Sequence, residues 1–138
     1  MARLMGIDYG QKRTGIAVSD PLQIFPRPLD TVETPKLMAY IKKYCAEEEV
    51  ETFVIGEPTH KDGNDTYLTP IIRTFAADIQ KNFPDCKVVL WDERYTSILA
   101  KQAIMASGAK KKERQDKGLI DRISAVIILQ EYMERSSD

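Results

Sequence analysis

The residues of this chain best suited to chemistry are acidic and far apart. Asp8 ends the short apolar run Leu4-Met5-Gly6-Ile7, with Gly6 and Gly10 on either side of it. Asp92 and Glu93 close a second apolar run, Val88-Val89-Leu90-Trp91, and Asp121 stands before a third, rich in Ile and Val. A carboxylate at a strand end, with glycines leaving the backbone open beside it, suits a metal ion or a phosphate-bearing substrate. Three converging carboxylates repel one another unless a divalent cation lies between them. Hard oxygen donors with room for water and phosphate are what Mg²⁺ and Mn²⁺ prefer. A metal pair held this way activates water and stabilises the leaving oxygen of a phosphodiester. Each acid also has an ordinary explanation. Asp-x-Gly is common in turns, Asp121 would complement a helix dipole, and Glu93 with Arg94 makes a surface ion pair. Their placement at strand ends and a helix start together favours a site.

Several elements must position these acids. Two apolar runs around a polar turn make 4–20 a β-hairpin. Pro26 and Pro28 confine a third strand to a sheet edge or a late start, with 29–32 the best candidate. Thr34-Pro35 reads as an N-cap with proline at the first helical position. The helix it opens runs to about residue 48 on Leu37, Met38, Ile41, Tyr44 and Cys45. Residues 52–56 form a strand buried on both faces. A second helix from about Thr69 carries the stripe Leu68, Ile71, Ile72, Phe75, Ile79 and Phe83. Another buried strand follows at 87–90, then a helix from Thr96 or Ser97 to Gly108, a basic loop to Gly118, and a last helix over about 119–133.

This order gives an α/β fold: an antiparallel meander followed by αβ units, a mixed five-stranded sheet covered by helices. Ligands of such sheets gather outside the carboxyl ends of the strands. If the first and last strands are parallel neighbours, Asp8 meets Asp92 and Glu93 there. Alternation puts Lys87, Val89, Trp91 and Glu93 on one face, and Val88, Leu90 and Asp92 on the other. The small residues Ser124 and Ala125 let the last helix approach closely and bring Asp121 to the same edge.

The chain as a whole sets the remaining bounds. Its 138 residues suit a single domain, 1–138, and 43% hydrophobic with 30% charged residues is a globular composition. A net charge of −1 excludes a global basic field, so any grip on nucleic acid must be local. Lys12, Arg13, Arg94, Lys110, Lys111, Lys112 and Lys117 are the candidates for tracking a phosphate backbone, against the plain alternative of a solvated charge run. His60, the only histidine, reads first as a loop residue and second as a general acid or phosphate contact. Cys45 and Cys86 form no metal spacing, and no signal peptide or membrane span is expected, which points to the cytoplasm.

Asp8-Tyr9-Gly10-Gln11-Lys12-Arg13-Thr14-Gly15-Ile16-Ala17-Val18-Ser19-Asp20, then Asp92-Glu93-Arg94-Tyr95-Thr96-Ser97, then Lys117-Gly118-Leu119-Ile120-Asp121 with Ser124-Ala125 and Ile128-Leu129-Gln130 closely resemble the YqgF/RuvX family. The resemblance spans essentially the full length. It implies an RNase H-like three-layer sandwich and a nuclease, a hydrolase of ester bonds, dependent on Mg²⁺ or Mn²⁺. It also implies that Asp8, Glu93 and Asp121 are the metal-binding catalytic acids of a cytoplasmic enzyme acting on precursor 16S ribosomal RNA. A monomer or weak homodimer is expected.

Three other functions stay open: a Holliday-junction or other branched-DNA resolvase, a non-catalytic RNA-binding ribosome-assembly factor, and a nucleotide-binding phosphotransferase. The last would need a second domain. The chain departs from the resemblance at two places. Glu57 stands where the family usually has a small apolar residue, as an extra ligand or a mild repulsion. Ser124 stands where related resolvases carry a fourth acid.

Overall fold

The computed structural model describes residues 2–57, 67–92 and 117–136. Its first two apolar runs pair as antiparallel strands, β1 (Arg3–Asp8) and β2 (Arg13–Ser19), with Asp8 opposite Gly15. β3 (Pro26–Glu33) pairs with β2, and β4 (Val50–Glu57) lies parallel to β1 on its other side. β5 (Lys87–Asp92) lies parallel to β4, giving the order β3-β2-β1-β4-β5. The helices are α1 (Leu37–Glu47), preceded by a 3-10 turn (Thr34–Lys36), α2 (Thr69–Asn82) and α3 (Lys117–Ser136).

Strand alternation divides the core in two. Met5, Ile7, Ile16, Val18, Phe53 and Ile55 face α1 and α2, where Leu37, Ile41, Ile72 and Ile79 complete one cluster. Leu4, Ala17 and Val54 face α3, which contributes Ala125, Ile128 and Leu129. β1 and β4 are apolar on both sides because both sides are covered.

The structure adjusts several expectations. β3 begins at Pro26 and sits at the sheet edge, as two prolines require. A register shift between Ile16 and Ala17, which pair with Asp30 and Pro28, leaves Leu29 as the extra residue of a bulge. Thr34 does not cap α1: it lies inside the 3-10 turn, and Glu33 precedes that turn without a side-chain cap. On α2 the buried face is Thr69, Ile72, Phe75, Ala76 and Ile79, while Ile71 points a quarter-turn away and is 37% exposed. β5 runs two residues further than expected and is an edge strand of the sheet, with Leu90 partly exposed. β1 and β5 are parallel but not neighbours, because β4 lies between them. The helix expected at 96–108 and residues 109–116 of the basic loop lie outside the described residues, and the loop's last two residues, Lys117 and Gly118, instead open α3.

Candidate active site

Asp8 ends β1 on the face that α3 covers, two residues beyond Gly6 and four beyond Leu4 of the α3-side cluster. Directly opposite it is Gly15. A Cβ added to Gly15 would stand 2.0 Å from the carbonyl oxygen of Asp121, and one added to Gly6 would stand 2.8 Å from that of Ala125. These two glycines form a trough that lets α3 lie against bare backbone, with Ala17, Ser124 and Ala125 buried along the contact. Facing residues of an antiparallel pair have side chains about 5 Å apart. The Asp121 backbone over Gly15 therefore makes Asp121 and Asp8 neighbours. On the other side of Asp8, Ile7 pairs with Ile55 and Gly56 pairs with Trp91, so a third glycine fills the space between Asp8 and the end of β5.

Two contacts fix the start of α3. The Thr31 hydroxyl donates to the Gly118 carbonyl at 2.6 Å and accepts from Arg122 Nη1 at 3.1 Å. Arg13 Nε donates to Asp121 Oδ2, an ion pair in which Asp121 is largely buried and Arg13 half-exposed. The helix-dipole explanation of Asp121 loses force. Asp121 is the fifth residue of α3, and the dipole acts within the first turn.

The β1–β2 turn beside Asp8 is braced from the 3-10 turn that follows β3. Thr34 donates its hydroxyl to the Gly10 carbonyl and its amide to the Lys12 carbonyl, the latter at 3.0 Å. The Thr14 and Thr34 hydroxyls are 2.9 Å apart. This is the task of the residue that sequence took for a helix cap. Lys12 stands exposed at the turn and Arg13 follows it.

Glu57 does not join the acids. It shares a face with Phe53 and Ile55, away from α3, and Arg73 of α2 holds it with two hydrogen bonds of 3.0 and 3.3 Å. The extra-ligand reading is thereby replaced by a neutralised structural carboxylate. Sequence reasoning missed Arg73, whose only signal is its exposed position on α2. Asp92, level with Glu57, is on that same side. Trp91 belongs with α3, as core packing requires. Its indole N–H donates to Glu131 at 3.1 Å, its ring meets Tyr132 edge-on at 5.7 Å, and Arg135 lies over it.

Glu93, Arg94, His60, Lys110, Lys111 and Lys112 lie outside the described residues, and Lys117 is the first residue of α3. Among the described residues no three acidic, histidine or cysteine side chains form a metal-holding group. What those residues do bring together fits a hard divalent cation. Asp8 and Asp121 are oxygen donors on one face, brought together where α3 packs against the bare backbone of Gly15. Ser124, one turn beyond Asp121, is fully buried with a hydroxyl that finds no hydrogen-bond partner among the described residues. Such a hydroxyl is available to a bound water.

A family model described as "RuvX: Holliday junction resolvase" matches residues 2–135. The chain belongs to the RuvX family. A relative from Flavobacterium johnsoniae, named "Putative pre-16S rRNA nuclease", is 48% identical to this RuvX-family chain over 133 residues, 96% of each. One of the same name from Phocaeicola vulgatus is 46% identical over 134 residues, 97% of this chain and 96% of its own. Among solved structures, T. thermophilus RuvC in complex with a Holliday junction substrate has a TM-score of 0.58 at 16% identity, covering 99% of this chain and 98% of its own. A further Thermus thermophilus RuvC structure has a TM-score of 0.56 at 15% identity, covering 97% and 96%. The three layers of this RuvX-family chain are accordingly the RNase H-like arrangement.

Proposed function

We propose that this protein cleaves phosphodiester bonds in precursor 16S ribosomal RNA, in the cytoplasm, with Mg²⁺ or Mn²⁺ held by Asp8, Glu93 and Asp121. Family membership makes it a nuclease, a hydrolase acting on ester bonds. The observation that carries the metal reading is the juxtaposition of Asp8 and Asp121 across Gly15, on bare backbone under α3. Glu93, next in sequence after β5, supplies the third carboxylate. When bound, the cation supplies Lewis-acid activation of water and charge stabilisation at the leaving oxygen. The chain's own residues do the rest. The glycines let α3 seat Asp121 against the sheet beside Asp8, and the acids fix the cation. Lys12, Arg13, Arg94, Lys110, Lys111, Lys112 and Lys117 supply a local basic rim that the net charge of −1 does not.

The deciding experiment incubates precursor 16S rRNA with the protein and Mn²⁺ or Mg²⁺, beside Asp8→Asn. Loss of a residue that merely orients a metal ligand costs about 10- to 100-fold, so loss of a ligand should cost about 100-fold or more. Equal cleavage by both proteins would sink the reading. The family's description keeps branched DNA as a second substrate class. Faster cleavage of a four-way DNA junction than of the RNA would move the substrate there and leave the role of the acids intact.

A further inference from the structure

We propose that Arg13 is a displaceable counter-ion: it holds Asp121 until a divalent cation takes that carboxylate, and then turns to a backbone phosphate of the nucleic acid. The inference rests on the metal site proposed above and adds a function for the residue that now occupies one of its ligands.

Arg13 opens β2 on the face shared with Gly15 and Ala17, which places its side chain towards α3. Its Nε bonds the Asp121 carboxylate, yet 40% of its side chain is exposed, against 19% for Asp121. The carboxylate is an inside partner and the guanidinium a surface one. The backbone beneath Arg13 is fixed. It pairs with Glu33, the Thr34 amide donates to the neighbouring Lys12 carbonyl, and Gly10 packs so tightly that a Cβ there would stand 2.4 Å from the Arg13 carbonyl. Movement is therefore confined to the long, flexible side chain.

A guanidinium cannot lose its proton to make way for a metal ion. A divalent cation arriving at Asp121 meets a positive charge on the same carboxylate, and the two like charges repel. An ion pair this exposed is weak, so the arginine leaves at little cost. The released fork of N–H donors stands beside the exposed Lys12, and its geometry matches a phosphate. The order of events follows: metal first, then a phosphate contact that did not exist before.

Mn²⁺ titration followed by electron paramagnetic resonance tests the first step, on the wild type, R13Q, R13K and D121N. R13Q should bind Mn²⁺ roughly fivefold tighter than the wild type, the most that an exposed pair of this kind supports. R13K keeps the charge and should stay close to the wild type. The second step is read from binding of a short RNA oligonucleotide, followed by stopped-flow anisotropy ahead of cleavage, over a range of salt concentrations. With Mn²⁺ present, R13Q should bind more weakly, with a log–log salt slope shallower by about 0.7, one lost phosphate contact on a single strand. Without Mn²⁺ the two slopes should coincide.

If Mn²⁺ binding depends on Asp121 but R13Q binds no tighter, Arg13 is only a brace for α3 and the proposal is overturned while the metal site stands. An R13Q slope change that is the same with and without Mn²⁺ overturns it too. Mn²⁺ binding that is absent, or indifferent to D121N, removes the metal site and the counter-ion with it.

Discussion

Asp8 and Asp121 can meet only because the residue between them has no side chain. The Gly15 position is closed by backbone, the Asp121 carbonyl, which cannot rotate aside as a side-chain tip would. In Gly15→Ala the helix itself must move, so we expect a loss of about 1–3 kcal/mol by urea denaturation and weaker Mn²⁺ binding. The contacts awaiting a Cβ at Gly6 are looser, at 2.8 and 2.9 Å, so Gly6→Ala should cost less. The reverse ranking would show that α3 does not rest on the Asp8–Gly15 rung. At this scale the sequence was informative where position alone identifies a residue. Asp8 at a strand end and Asp121 near a helix start could be singled out. The partners could not: Arg13 reaches Asp121 across 108 residues, and Glu57 at the end of β4 is claimed by Arg73 from α2. Side-chain pairing between elements leaves no periodic mark.

The start of α3 is held by β3, an edge strand with no acid of its own in the site. Thr31 bonds Gly118 and Arg122, which flank Asp121 in the chain, so a strand-edge hydroxyl sets where that carboxylate stands. Thr31→Val removes both bonds and leaves a carbonyl and a guanidinium N–H to find water. The expected cost is about 1–2 kcal/mol, with reduced Mn²⁺ affinity. Thr31→Ser should restore both. If Thr31→Val destabilises the fold but leaves Mn²⁺ binding untouched, β3 supports α3 without positioning Asp121. The elements themselves were largely legible, because prolines, glycines and apolar spacing report local structure. Pro26 and Pro28 announced an edge strand. Thr34 was misread because Thr-Pro before an apolar helix has two uses, and its real partners, Gly10, Lys12 and Thr14, lie across the β1–β2 turn.

At the scale of the molecule, the meander and the parallel additions were foreseeable from connection lengths, whereas the insertion of β4 between β1 and β5 was not. Register between strands far apart in the chain is decided by packing on both faces at once. The same two-sided packing sets how the protein responds to alkali. Burial, followed by the charge of Cys86, raises Cys45 from 9.0 to about 11. Burial, followed by the charge of Asp30 and its hydrogen bond, raises Tyr40 from 10.0 to about 12. Tyr44 and Cys86 are also raised, burial being the first cause in each. In every case the folded chain keeps a proton that the unfolded chain has lost. Their contribution is therefore complete below about pH 9 and disappears as pH climbs through the interval to about 12. Thermal midpoints should hold through neutrality and fall from about pH 9 upward. Cys45→Ala should make the decline from about pH 9 shallower, with Cys86 still contributing there, and Tyr40→Phe should flatten the upper part of the decline. A midpoint that stays level to pH 11 in the unaltered protein would mean that α1 opens these groups to water in solution.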